Sequence, residues 1–182
     1  MKKIFGIILL IGLVTATDAL AQTALGLSYE RRNEAPTNGF GIQLERGILG
    51  SIPVVDVRAR IHGSFFTEAA ELNQDAIQNS LTGLVDGTAQ SYDFGAAVIG
   101  GVGLGLFRPY AGLGVGMENW EFEDYENSTH YYYGLAGIAI TPIPFVKPYL
   151  EFRFSSYDDL SEARQEIGEG NARVHLGVTI GF

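Results

Sequence analysis

The chain has 182 residues, a formal net charge of −9, 24 glycines and no cysteine. The lack of cysteine excludes disulfides as a source of stability, and the acidic balance disfavours nucleic acid and other anionic polymers as partners. Beyond the N-terminal segment, no apolar run approaches the ~20 residues that a membrane-spanning helix requires.

Met1-Lys2-Lys3 is a short basic region, Ile4 to Val14 is apolar, and Ala19-Leu20-Ala21 gives a small-x-small cleavage pattern before Gln22. These features predict a Sec-type signal peptide over residues 1–21 and a single exported domain over 22–182. No cysteine follows the apolar run, so a lipid-modified N-terminus is not expected.

The rest of the chain alternates with period 2, the signature of strands with two chemically distinct faces. Eight such segments follow in order. Thr23 to Arg31 sets Leu25, Leu27 and Tyr29 against Gly26, Ser28 and Glu30. Gly39 to Arg46 sets Phe40, Ile42 and Leu44 against Gly41, Gln43 and Glu45. Val54 to Phe66 opposes Val55, Val57, Ala59, Ile61 and Phe65 to Asp56, Arg58, Arg60, His62 and Ser64. Tyr92 to Leu104 opposes Phe94, Ala96 and Val98 to Asp93, Gly95 and Ala97, and Tyr110 to Glu118 opposes Leu113, Val115 and Met117 to glycines. In the sixth, His130 to Ile140, Tyr131, Tyr133 and Leu135 are read as outward, although the parity is ambiguous. Pro148 to Ser155 sets Leu150, Phe152 and Phe154 against Tyr149, Glu151 and Arg153. Arg173 to Phe182 has Val174, Leu176, Val178, Ile180 and Phe182 on one face, with Arg173, His175, Gly177, Thr179 and Gly181 on the other.

Short connections rich in Gly and Pro (47–53, 105–109, 141–147) alternate with mostly longer polar ones (32–38, 67–91, 119–129, 156–171). A membrane protein without an apolar helix must be a closed barrel, because every backbone polar group has to be satisfied internally. The predicted fold is therefore all-β: an eight-stranded antiparallel up-and-down transmembrane barrel with short periplasmic turns and longer extracellular loops. The rival is a soluble lipocalin-type barrel, since alternation does not say which face is outside.

The signal peptide, the Pro109-Tyr110-Ala111-Gly112-Leu113-Gly114-Val115-Gly116 strand start, the eight alternating segments and the terminal Phe182 resemble the OmpA/OmpX/opacity-type outer-membrane barrels over the whole mature chain. The resemblance implies the bacterial outer membrane as the location, with lipid and lipopolysaccharide around the barrel. It also implies that the assembly machinery recognises the closing strand through Phe182. No peptidoglycan-binding segment follows the barrel, so wall tethering is not expected.

Glu30, Gln43, Glu45, Asp56, Arg58, Arg60, His62, Glu151, Arg153, Arg173 and His175 form the expected charged inner wall, with four arginines among them; the fourth to sixth segments offer mostly Gly and Ala. An eight-stranded barrel is only just wide enough for side chains to fill, and buried charges persist only when paired. The expectation is a plugged lumen and not a diffusion pore. His62-Gly63-Ser64, with Glu68 beyond, matches the His-x-Ser pair of outer-membrane lipid A deacylases. The alternation, however, turns His62 and Ser64 inward, away from acyl chains. The glycine pairs Gly101-x-Gly103-x-Gly105 and Gly112-x-Gly114-x-Gly116 open no helix, so a nucleotide site is not expected, and Asn127-Ser128-Thr129 is read as a chance sequon.

The charge lies in the outer connections: Glu68, Glu71, Asp75 and Asp86; then Glu118, Glu121, Glu123, Asp124 and Glu126; then Asp158, Asp159, Glu162, Glu166 and Glu169 against Arg164. Three roles fit these acids: a solvated repulsive surface, divalent-cation bridging to lipopolysaccharide phosphates, or adhesion with Trp120, Phe122 and Tyr125 as aromatic anchors. The aromatics equally fit an interfacial girdle. The functional expectation is a monomeric, non-enzymatic envelope or surface-interaction barrel with no catalytic, metal or cofactor site. A lipid A-modifying hydrolase and a narrow ion channel or porin are the alternatives.

Overall fold

The computed structural model describes residues 23–48, 55–73, 84–122, 125–141, 145–158 and 171–182. The predicted signal peptide lies outside the described residues. Eight strands form one closed antiparallel barrel: β1 (Thr23–Arg32), β2 (Asn38–Gly47), β3 (Val55–Asn73), β4 (Leu84–Val102), β5 (Phe107–Phe122), β6 (Tyr125–Ile140), β7 (Val146–Tyr157) and β8 (Ala172–Gly181). Each pairs with its sequence neighbours, and β1 pairs with β8 from Ala24↔Gly181 to Arg32↔Arg173. The seam leaves no open edge within the barrel, which is how a sheet satisfies its backbone in hydrocarbon.

The predicted alternation holds in seven strands. Outward positions are apolar and exposed, Leu113 most of all at 76%, while Glu30, Glu45, Arg60, Glu151, Arg153 and Arg173 on the opposite face are buried. Tyr29 and Phe40 meet edge to face near the end of the barrel away from the chain termini, with ring centroids 5.9 Å apart. An apolar exterior around a charged interior is the inverse of the lipocalin arrangement.

β6 corrects the reading of the sixth segment. Tyr131 and Tyr133 are 1% and 3% exposed and Leu135 is also buried, whereas Tyr132 is 56% exposed. The register explains the parity: Tyr132 lies opposite Val115, while Tyr131 and Tyr133 lie opposite Gly116 and Gly114. Directly opposed residues share a face, so β5 assigns Tyr132 to the lipid side and its two neighbours to the lumen.

Two of the predicted loops are largely strand. β3 and β4 continue their ladder to Asn73↔Leu84, so 67–91 shrinks to residues 74–83 between strands. β5 and β6 continue to Phe122↔Tyr125, leaving 123–124. A tilted membrane strand needs about 9–11 residues. β1, β2 and β8 have 10 each, whereas β3 and β4 have 19 and β5 and β6 have 16. The β3–β6 side therefore stands taller than the β1–β8 seam at the end away from the chain termini.

Candidate functional site: a filled polar lumen

The inner face carries four stacked charge layers. At the turn end, where the chain termini lie, Arg108 grips Asp56 with two bonds, Nε–Oδ1 at 2.8 Å and Nη2–Oδ2 at 2.6 Å. Arg58 also donates to Asp56 and reaches Glu45 at 3.3 Å. Above this, Arg60 bonds Glu45 through Nε and Nη2 at 3.0 and 2.7 Å, and its Nη1 donates to Glu151 at 2.6 Å.

In the third layer Glu30 Oε1 accepts from Ser28 at 2.9 Å and Ser64 at 3.1 Å, and lies 3.1 Å from His175 Nδ1. The fourth layer joins Arg173 to Asp93 and Arg32 to Glu118 at 2.6 Å, with Ser91 donating to Glu118. Arg32 and Arg173 both lie over the Phe66 ring, at 3.7 and 5.1 Å.

Three of these pairs run across the barrel. Arg32–Glu118 joins β1 to β5, Arg60–Glu151 joins β3 to β7, and Arg173–Asp93 joins β8 to β4. In a ring of eight strands each of these links spans four positions, from one wall to the opposite one.

Tyrosines fill the space between the charges. Tyr110, Tyr131, Tyr133 and Tyr149 lie opposite Gly137, Gly116, Gly114 and Gly177 in the ladder. A Cβ on Gly137 would sit 2.5 Å from Tyr110 Cζ, and one on Gly177 would sit 2.6 Å from Tyr149 Cζ. The glycines thus leave the hollows in which the rings lie. The β4–β6 wall was expected to hold mostly Gly and Ala. It also carries Ile99, Tyr110, Tyr131, Tyr133 and Leu135, all buried.

The structure places six arginines inside, not four. Arg32 and Arg108, assigned from sequence to connections, are buried at strand ends. Glu118 and Trp120, read as outer-loop residues, are each 1% exposed. Glu118 thus leaves the set of surface acids, and Trp120 is neither an adhesion anchor nor a girdle residue. The side chains of Glu71, Asp86, Phe122 and Tyr125 lie outside the described residues, as do Asp75, Glu123, Asp124, Asp159, Glu162, Arg164, Glu166 and Glu169. Of the remaining acids, Glu68 accepts from the Thr37 hydroxyl at 2.6 Å and Glu121 accepts from Tyr92 at 3.4 Å.

His62 and Ser64 are both buried and are not bonded to each other. Ser64 donates to Glu30, while His62 Nε2 accepts from Arg153 Nη1 at 2.9 Å and its Nδ1 faces the Tyr133 hydroxyl at 3.2 Å. A histidine whose Nε2 lone pair is held by a guanidinium cannot take a proton from a serine that bonds elsewhere.

No protein-family model and no curated protein sequence matches the chain. Among solved structures, Neisserial surface protein A superposes with a TM-score of 0.53 at 14% identity, covering 88% of this chain and 96% of that one. The chain has the fold of eight-stranded outer-membrane barrels. The outer membrane protein Ail of Yersinia pestis is similar at 16% identity over 89% of this chain and 99% of that one, with a TM-score of 0.48. The apolar exterior and this fold together place the protein in the bacterial outer membrane.

Proposed function

We propose that the protein is a non-enzymatic outer-membrane barrel with a closed lumen, serving envelope integrity or surface interaction through the polar structure at its taller end. The lumen carries this reading: four layers of paired charges, two of them tied from wall to wall, with tyrosines between them, support a plug and leave no lining for a diffusion path. The bonding of His62 and Ser64 to Arg153 and Glu30 argues against the hydrolase. Partners on this reading are lipid and lipopolysaccharide around the belt, and the barrel-assembly machinery at the closing strand ending in Phe182. A surface ligand or divalent cations at the acidic outer segments complete the set, with the barrel acting as a monomer.

Planar-bilayer recording tests the plug. The purified protein should give no conductance steps, and steady open-channel steps would refute it. Lipid A from cells with and without the protein should have identical acylation by mass spectrometry, and a lost acyl chain that returns with Ser64→Ala would establish the hydrolase instead.

A further inference from the structure

The charges in the lumen do not balance at its turn end. Above that end, Arg32, Arg60, Arg153 and Arg173 face Glu30, Asp93, Glu118 and Glu151, with Glu45 shared between Arg60 and Arg58. At the end itself Arg58 and Arg108 converge on one carboxylate, Asp56, which is one-third exposed. Lys147 adds a third cation there. It follows the inward parity of Tyr149 and Glu151 on β7 and is half-buried near Arg58, Arg108, Asp56 and Glu45. Among the described residues no carboxylate lies within ion-pair distance of its ammonium.

Three cations against Asp56 and a share of Glu45 leave a surplus of positive charge at this end, and an added anion offsets it. Arg58 and Arg108 are fixed at Asp56, the most exposed of the three, and Gly101 lets the Arg108 guanidinium lie flat on β4, where a Cβ would sit 2.7 Å from its Cζ. Guanidinium groups held in this way match the oxygens of a carboxylate or phosphate. The cations lie inside the ring of strands, so a lipid headgroup packed against the outer surface does not reach them.

We propose that the turn-end mouth of the lumen, formed by Arg58, Arg108 and Lys147 around Asp56, is a binding site for a soluble oxyanion, a carboxylate- or phosphate-bearing solute on the side of the chain termini. The site extends the proposed plugged barrel but does not depend on it, since a cationic mouth binds anions whether or not the lumen conducts.

The test is a titration of the isotope-labelled barrel, in zwitterionic micelles at constant ionic strength, with inorganic phosphate or acetate and with chloride as reference. Amide NMR shifts at Gly101, Gly177 and Thr179 should move saturably with phosphate or acetate and much less with chloride. Lys147→Gln should weaken the apparent affinity at least tenfold while the spectrum elsewhere and the heat-shifted gel mobility stay unchanged. Lys147→Arg should restore binding. Equal binding by wild type and Lys147→Gln, or no saturable shift in the wild type, would overturn the site. Nanodiscs with anionic lipid but no added oxyanion should leave these amides unmoved, and a shift there would make the ligand a lipid headgroup and refute the proposal as stated.

Discussion

Arg173→Met removes one cation from the fourth charge layer while keeping much of the side-chain volume. Wild-type Arg173 is 1% exposed, bonds Asp93, reaches Glu118 at 3.5 Å, and donates to the Tyr157 hydroxyl at 3.1 Å. After the change Asp93 and Glu118 share only Arg32, which lies 3.6 Å from Asp93 and 2.6 Å from Glu118. Removing one partner of a buried ion pair costs about 3–5 kcal/mol, because the other charge stays desolvated and unpaired. With a urea dependence of about 1–3 kcal/mol per molar for a protein of this size, the unfolding midpoint should fall by roughly 2 M. The protein's one tryptophan, Trp120, lies in the lumen and reports the transition by fluorescence in lipid vesicles. Asp93→Asn in the same chain removes the stranded charge, so the double variant should recover more than half of the loss, on the order of 2 kcal/mol. A loss below about 1 kcal/mol for Arg173→Met would mean that water replaces the guanidinium freely and that the lumen is not closed at this layer.

Four further outcomes follow from the geometry. Gly137→Ala should destabilise the barrel by about 1–3 kcal/mol, since its Cβ would meet the Leu150 carbonyl and the Tyr110 ring. Gly100→Ala, where a Cβ meets nothing within 4 Å, should shift the same urea midpoint little. Leu113→Arg places a charge on the most exposed outward position and should cost about 2–4 kcal/mol if that position lies near the bilayer midplane; a neutral result would argue that this face does not contact lipid. Acrylamide should quench Trp120 fluorescence weakly in the folded barrel, and strong quenching would return Trp120 to an exposed loop.

The strand count, barrel closure and charged inner wall were legible because one face of each strand meets hydrocarbon and the other meets side chains, and that contrast is written as period 2. Tyr131-Tyr132-Tyr133 carried no such contrast, since all three suit either face. Only pairing with Gly114, Val115 and Gly116 on β5 resolves them, and pairing needs the turn position. The tall hairpins were misread for a related reason: Thr67 to Asn73 reads Thr-Glu-Ala-Ala-Glu-Leu-Asn, which has no period-2 contrast, and a strand without that contrast has the composition of a loop. Arg32 and Arg108 were missed as lumen residues because they sit at strand ends that the pattern had cut short, and Glu118 because it was the last residue of its predicted segment and was counted with the outer acids. The Phe107-Arg108-Pro109-Tyr110 segment held a usable signal, because Arg108 shares the parity of Tyr110.

The wall-to-wall pairs have a consequence for how the protein is made. Neighbouring strands can zip into hairpins without them, and an open sheet holds Arg32 on its β1 margin away from Glu118 on the central β5, and Arg173 on its β8 margin away from Asp93 on β4. These spokes lock only when the rim joins at β1 and β8, so half-built intermediates bear unmatched charges that an apolar medium penalises heavily. Insertion and seam closure are thereby coupled into one committed event, and a mutation in a spoke should impair biogenesis at its last stage while early hairpins form normally.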